Sequence, residues 1–118
     1  MLRFVTPVLL LAGTTAAHAG PARIGQAVRV DGPTVRPLAV IEDSRCPERV
    51  RCVWSGRVVV RVEASGGAWR RVVDLTLGDA GVPVADGQLR LVAVTPPKRA
   101  AAIPSRTYRF QFAFAGGL

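Results

Sequence analysis

The chain has 118 residues, a length that fits one small domain and excludes several. Hydrophobic residues make up 49% of the sequence and charged residues only 20%, which excludes an intrinsically disordered chain. The formal net charge is +8, but the basic residues are spread along the chain and do not form a cluster. We therefore do not expect a nucleic-acid partner, because phosphate recognition uses clustered charge.

The first 19 residues are typical of a secretory signal peptide. Arg3 gives a positive start, an apolar stretch follows over 4–12, and Ala17-His18-Ala19 fits a cleavage site. We predict cleavage before Gly20, a mature single domain of residues 20–118, and a periplasmic or secreted location. An uncleaved anchor is the alternative, but the apolar stretch is shorter than the ~20 residues that cross a bilayer. The mature chain contains no segment that fits a membrane span.

Cleavage at that point would remove His18, which is the only histidine of the chain. Without histidine, the mature domain has no Ser–His or Cys–His nucleophile and no His-ligated metal site. We therefore predict a protein that is not an enzyme and that uses neither a cofactor nor a metal. The acidic pairs Glu42 with Asp43 and Asp79 with Asp86 are better explained as strand and turn residues than as catalytic carboxylates.

Two strands are predicted before residue 43. Valine outnumbers leucine in the mature chain, and β-branched side chains favour strands. The first strand, Gln26–Val30, ends at the turn Asp31-Gly32-Pro33, and Thr34–Glu42 follows it. Pro37 predicts that the second strand lies at a sheet edge or contains a β-bulge.

The most distinctive stretch, residues 43–56, follows the second strand. In an exported chain, the nearby pair Cys46 and Cys52 predicts a disulfide. We expect Asp43 or Ser44 to cap loop amides, and Arg45 to form a bidentate pair with a neighbouring carboxylate. These features together describe a rigid, disulfide-stapled corner.

Two further residues of this stretch have predicted structural roles. Trp54 is expected to pack its ring on the disulfide or on the edge of the core, with its indole N–H bonded to the loop. Gly56 is expected to supply a positive φ or a β-bulge at the entry to the third strand.

The whole stretch follows the pattern D-S-R-C-P-x-x-V-x-C-x-W-x-G and leads into a valine-rich strand. The matching residues are Asp43, Ser44, Arg45, Cys46, Pro47, Val50, Cys52, Trp54 and Gly56. In these residues the chain resembles a family of small, uncharacterised exported bacterial proteins. The resemblance implies an exported, β-rich domain and brings no known reaction.

Five more strands are predicted after the stretch, separated by Ser65-Gly66-Gly67, by Asp86-Gly87 and by longer connections. They are Arg57–Ala64, Trp69–Leu77, Val82–Ala85, Gln88–Thr95 and Thr107–Ala115. Alternation predicts the buried faces: Leu89, Leu91 and Ala93 on the sixth strand, and Tyr108, Phe110, Phe112 and Phe114 on the seventh. The prediction is an all-β, single-domain antiparallel β-sandwich of about seven strands, with a small β-barrel as the alternative.

For function, we favour a non-enzymatic binding or structural module of the cell envelope. A disulfide-held loop binds with a small loss of conformational entropy, and its candidate contact residues are Arg45, Glu48, Arg49, Arg51 and Trp54. The expected partner is another envelope protein or an anionic glycan, and the oligomeric state stays open.

Two alternatives use the cysteines chemically. A thiol-redox or other enzyme would use Cys46 and Cys52, although a C-x5-C pair on a β loop lacks the helix N-terminus that lowers a thiol pKa. A metal site formed by these cysteines with nearby carboxylates would be incomplete for zinc within one chain.

Overall fold

The computed structural model describes residues 20–116, which form two antiparallel β-sheets. The strands are β1 Val28–Arg29, β2 Thr34–Asp43, β3 Val58–Gly66, β4 Trp69–Thr76, β5 Val82–Val84, β6 Gly87–Thr95 and β7 Arg109–Gly116. The first sheet has the order β1-β2-β3-β4 and the second has the order β5-β6-β7. The sheets do not close into a barrel, so the all-β sandwich prediction is confirmed. The predicted signal peptide, residues 1–19, lies outside the described residues.

The core lies between the two sheets and consists of the inward faces of their strands. In β3, Val58, Val60, Val62 and Ala64 are fully buried, as a period-two pattern requires. The second sheet contributes Leu89 and Leu91 from β6, with Phe110 and Phe112 from β7. The alternation predicted for β7 is confirmed, since Tyr108, Phe110 and Phe112 are all buried and Phe114 packs against the core.

One strand departs from strict alternation. The pairing of β6 with β7 shifts register between Leu91 and Ala93, which indicates a β-bulge. Beyond the bulge Val94 is buried, whereas Ala93 is only partly buried. The prediction that Ala93 continues the inward face of Leu89 and Leu91 is therefore wrong by one residue. A similar shift after Pro37 in β2 confirms the bulge expected there, and β2 is an inner strand and not an edge.

The hairpin between β5 and β6 turns one residue earlier than predicted. Val84 pairs with Gly87, so the turn consists of Ala85 and Asp86, and Ala85 takes the positive φ of 52°. Gly87 is needed for a different reason: a Cβ at this position would overlap the backbone carbonyl of Ala115 on β7. The Asp86-Gly87 pair thus located the hairpin, but Gly87 itself belongs to β6 and not to the turn.

A matched pair of valines tests the assignment of the core. Val60 is fully buried on β3, whereas Val72 on the neighbouring edge strand β4 is 55% exposed. Val60→Ala should lower the free energy of unfolding by about 2–3 kcal/mol, because it removes buried methyl groups and leaves a cavity. Val72→Ala should lower it by less than about 1 kcal/mol. Urea denaturation measures both, and equal losses would contradict the sandwich core described here.

Candidate functional site

The stretch of residues 43–56, here called the stapled loop, joins the end of β2 to the start of β3 at one end of the sandwich. Cys46 and Cys52 form a disulfide whose Cα atoms lie 5.8 Å apart, which confirms the predicted pairing. Within the ring, the N–H of Val50 donates to the carbonyl of Pro47 at 3.3 Å, and Arg49 adopts a left-handed φ of 64°. The disulfide therefore closes a single tight turn.

The root of the stapled loop continues the pairing of β2 with β3. The Ser44 N–H donates to the Arg57 carbonyl at 2.9 Å, and the Arg57 N–H donates to the Ser44 hydroxyl at 3.0 Å. The Ser44 hydroxyl lies 3.0 Å from a Glu42 carboxylate oxygen, which also accepts from the Arg57 guanidinium at 2.9 Å. Ser44 therefore caps the amide of Arg57. The prediction was that either Asp43 or Ser44 would cap an amide of the loop, and the structure assigns this role to Ser44.

Close packing, and not an unusual backbone conformation, explains why a glycine is needed at position 56. Its φ is not in the positive range, and the register shifts between β2 and β3 fall elsewhere, within β2 at Pro37/Ala39 and Val40/Glu42. A Cβ built on Gly56 would overlap the backbone carbonyl of Ser44. The predicted positive φ or bulge at Gly56 is wrong, because the residue is needed where the two sides of the loop root touch.

Asp43, Arg45 and Tyr108 form a network that joins the stapled loop to both sheets. The guanidinium of Arg45 donates two hydrogen bonds to the Asp43 carboxylate, each of 2.9 Å, in the bidentate geometry that was predicted. The Tyr108 hydroxyl donates to the same carboxylate at 2.6 Å. Arg45 also donates to the carbonyl of Pro96 at 3.1 Å. Since Asp43 ends β2, and Pro96 and Tyr108 flank β6 and β7, the network bridges the two sheets.

The network holds its charges in an environment that favours ionised Asp43 and neutral Tyr108. Hydrogen bonding by Arg45, supported by the Tyr108 hydroxyl, lowers the pKa of Asp43 from 3.8 to about 2. Burial, followed by the bond to the Asp43 carboxylate, raises the pKa of Tyr108 from 10.0 to about 12. Both groups therefore keep one protonation state across the physiological pH range.

Part of the stapled loop is apolar and exposed. Val53 is 91% exposed and Trp54 is 81% exposed, and Val50 is also exposed. These three residues are called the apolar tip below. The prediction that Trp54 packs on the disulfide or the core edge is wrong, because its side chain remains largely in water. Large apolar side chains left in water on a rigid turn are typical of an interaction site.

A second backbone contact places basic residues beside the turn. The Glu48 N–H donates to the carbonyl of Lys98 at 2.9 Å, so the connection after β6 runs alongside the stapled loop. Arg49, Arg51 and Arg99 are exposed there, and Lys98 is partly exposed. These four cations are called the basic rim below. This contact could not be predicted from the sequence, because Glu48 and Lys98 are far apart in the chain and lie in irregular segments.

The predicted contact residues fall into two groups. Glu48, Arg49, Arg51 and Trp54 are exposed on the stapled loop, as expected. The side chain of Arg45, by contrast, is only 17% exposed and is engaged by Asp43 and Pro96. Tyr108 belongs to the site and was not predicted to, because only the tertiary structure brings it to Asp43.

The acidic pairs considered in the sequence have separate roles in the structure. Glu42 pairs with Arg57, and Asp43 pairs with Arg45, so the two adjacent carboxylates serve different partners. Asp79 closes a turn through its N–H and the carbonyl of Thr76 at 3.1 Å, and Asp86 lies in the β5–β6 turn. Over residues 20–116, the structure contains no group of three or more His, Cys, Asp or Glu side chains placed to hold a metal ion.

The two tryptophans lie in different environments. Trp69, at the start of β4, is partly buried beside Gly66, where a Cβ would approach the indole nitrogen to 2.9 Å. With Phe114 it lines a shallow cleft among the turns at the opposite end of the sandwich from the stapled loop. Trp54 is thus the exposed indole, and Trp69 is part of the folded body.

Comparison of the chain with protein-family models, with curated proteins and with solved structures gives no match. In the described part of the chain, no helix is long and apolar enough to cross a membrane. Functional inference therefore depends on the geometry of the stapled loop itself.

The Asp43 network predicts a loss of stability at low pH. Because folding lowers the pKa of Asp43 from 3.8 to about 2, its ionised form stabilises the fold above 3.8, and this stabilisation disappears as the pH falls to about 2. Asp43→Asn should lower the free energy of unfolding at neutral pH by about 2 kcal/mol. The difference between wild type and variant should narrow across that acidic range in urea denaturation.

The exposed Arg61–Asp74 pair supplies the control for this experiment. Its Nε–Oδ1 distance is 2.9 Å, the same as in the Arg45–Asp43 pair, but both of its side chains are more than 40% exposed. Asp74→Asn should therefore change the stability by less than about 1 kcal/mol. A difference between wild type and Asp43→Asn that stays constant down to pH 2 would contradict the assigned role of the Asp43 carboxylate.

Proposed function

We propose that this chain is an exported, non-enzymatic binding module of the bacterial cell envelope, and that the stapled loop is its recognition element. The observation that carries the proposal is the exposed apolar tip on a loop whose backbone is fixed at several points. An exposed indole and two exposed valines weaken solubility unless a partner covers them.

The rigidity of the stapled loop supports a binding role. The disulfide closes the turn, the Ser44–Arg57 bonds hold its root, and the Glu48–Lys98 bond holds its side. A loop that is already ordered loses little conformational entropy on binding, so contacts made by Trp54 contribute more of their free energy to affinity. Tryptophan and arginine are also the residues that most often dominate interfaces.

The disulfide and the predicted signal peptide support the location in the proposal. Disulfides persist in oxidising compartments such as the periplasm or the extracellular space, and are rare in the cytosol. Residues 1–19 have the charge, apolar stretch and small-residue site of a secretory signal.

Binding can be tested with the full chain, expressed with its N-terminal segment, recovered from the exported fraction and incubated with isolated bacterial envelopes. Val53→Ser with Trp54→Ser should weaken retention on envelopes about tenfold or more, because interface tryptophans are frequent hot spots. Val72→Ser with Val92→Ser removes two exposed valines from β4 and β6 and should leave retention unchanged. Both variants should keep cooperative thermal unfolding.

Equal retention of all three proteins would contradict the proposal, since it would place the contact outside the stapled loop. Loss of retention in the Val72 and Val92 variant alone would contradict it as well, because it would assign the contact to a sheet face.

A thiol-redox function is the competing proposal, and it has less support. Cys46 and Cys52 lie between two strands, so neither sulfur has the helix N-terminus that stabilises a thiolate. Exchange with a glutathione buffer, followed by alkylation and intact mass, should leave the folded protein unalkylated. Rapid alkylation of both cysteines while the domain stays folded would favour the redox function over the binding module.

A further inference from the structure

We propose that the stapled loop docks on an anionic phospholipid bilayer, with the apolar tip in the interfacial layer and the basic rim on the lipid phosphates. This inference rests on the proposed binding function and names its partner. Three observations carry it: the composition of the tip, the charge around it, and the rigid support beneath it.

The apolar tip has the composition of a segment that enters a membrane interface. Trp54 combines a large apolar ring with one N–H donor, and such side chains favour the boundary between headgroups and acyl chains. Val53 beside it and Val50 within the disulfide ring add exposed aliphatic surface that has no polar group to satisfy. The interfacial layer of a bilayer removes this aliphatic and aromatic surface from water and still offers hydrogen-bond acceptors to the indole N–H.

The charges around the tip match an anionic surface. The basic rim contributes the four cations Arg49, Arg51, Lys98 and Arg99, and Glu48 is the one carboxylate among them, which leaves a local net charge of +3. Two acids at the loop root are each paired with an arginine: Asp43 with Arg45 at 2.9 Å, and Glu42 with Arg57 at 2.9 Å. The field of Asp79 also reaches Arg57, which lies just after the loop. Each cation near an anionic bilayer strengthens partitioning about fivefold.

The combination favours a bilayer over the other partners considered. An anionic glycan would satisfy the basic rim but would leave Val50 and Val53 in water. An apolar groove on a protein would accept the tip but would not by itself account for four cations around it. A bilayer with anionic headgroups supplies both a layer for the valines and the indole ring and a continuous negative surface for the cations.

The support beneath the tip allows shallow insertion without unfolding. The Ser44–Arg57 and Glu48–Lys98 backbone bonds, each of 2.9 Å, tie both sides of the loop to the sandwich. Insertion of the tip therefore breaks no backbone hydrogen bond of the sheets, and the loop pays no ordering penalty when it meets the lipid.

The experiment uses the full chain carrying Trp69→Phe, so that Trp54 is the only tryptophan left of the two in the sequence. Vesicles of equal parts phosphatidylglycerol and phosphatidylcholine should shift the Trp54 emission to shorter wavelength and sediment the protein. Vesicles of phosphatidylcholine alone should do neither. Added salt should weaken the binding, because it screens the attraction between the cations and the headgroups.

Matched charge variants test whether the basic rim is responsible. Arg49→Asn with Arg51→Gln should weaken binding to the anionic vesicles about 25-fold, from two contributions of fivefold each. Asparagine is chosen at Arg49 because it tolerates the left-handed φ of 64°. Arg29→Gln with Arg36→Gln removes the same charge from β1 and β2, away from the stapled loop, and should change binding less than about twofold.

Three outcomes would overturn the lipid proposal: no binding to anionic vesicles, equal losses in the two charge variants, or binding with no shift in the Trp54 emission. If the vesicles fail while retention on envelopes still depends on Val53 and Trp54, the partner is an envelope protein or a glycan, and the proposed binding function stands. If both fail, the proposed function fails with the lipid proposal.

Discussion

The carboxylate of Asp43 is the point at which the two sheets and the stapled loop meet. It is almost completely buried, with 6% of its side chain exposed, and a buried charge is tolerated only when it is paired and hydrogen-bonded. One partner, Arg45, is local to the loop, and the other, Tyr108, comes from the start of the second sheet's last strand. Movement of the loop away from the sandwich would break the bonds to Tyr108 and Pro96, so the network holds the loop root against both sheets.

The fixed root explains why the apolar tip stays exposed. A domain of this size has one thin core between two sheets, and that core is already filled by the valines of β3 and the aromatic residues of β7. Contacts of Asp43, Ser44 and Gly56 hold the root of the loop in position. The disulfide then closes residues 46–52 into a single turn. Trp54 follows this turn, two residues before Gly56, and its side chain stays 81% exposed.

Local patterns predicted the features of the structure that depend on neighbouring residues. Segments rich in β-branched residues and bounded by turn residues located all seven strands, and short separations predicted the disulfide and the Arg45–Asp43 pair. The features that were missed depend on contacts between distant segments. The Tyr108–Asp43 bond spans 65 residues, and Gly56 and Gly87 are required by the close approach of another strand or loop backbone. The exposure of Trp54 was missed because residue size predicts burial only where the chain has room to bury it.

Three arginines of the stapled loop show how position decides the role of a charge. Arg45 follows Asp43 by two residues, and its guanidinium is neutralised by the Asp43 carboxylate within the fold. Arg49 and Arg51 lie on the turn that the disulfide closes, where the nearby acid is Glu48, and both remain exposed. The excess of basic residues over the whole chain thus says little about a partner, since much of it is spread over the sheets. Arg49 and Arg51 differ from the cations on the sheets because they share a disulfide-closed loop with the exposed side chains of Val53 and Trp54.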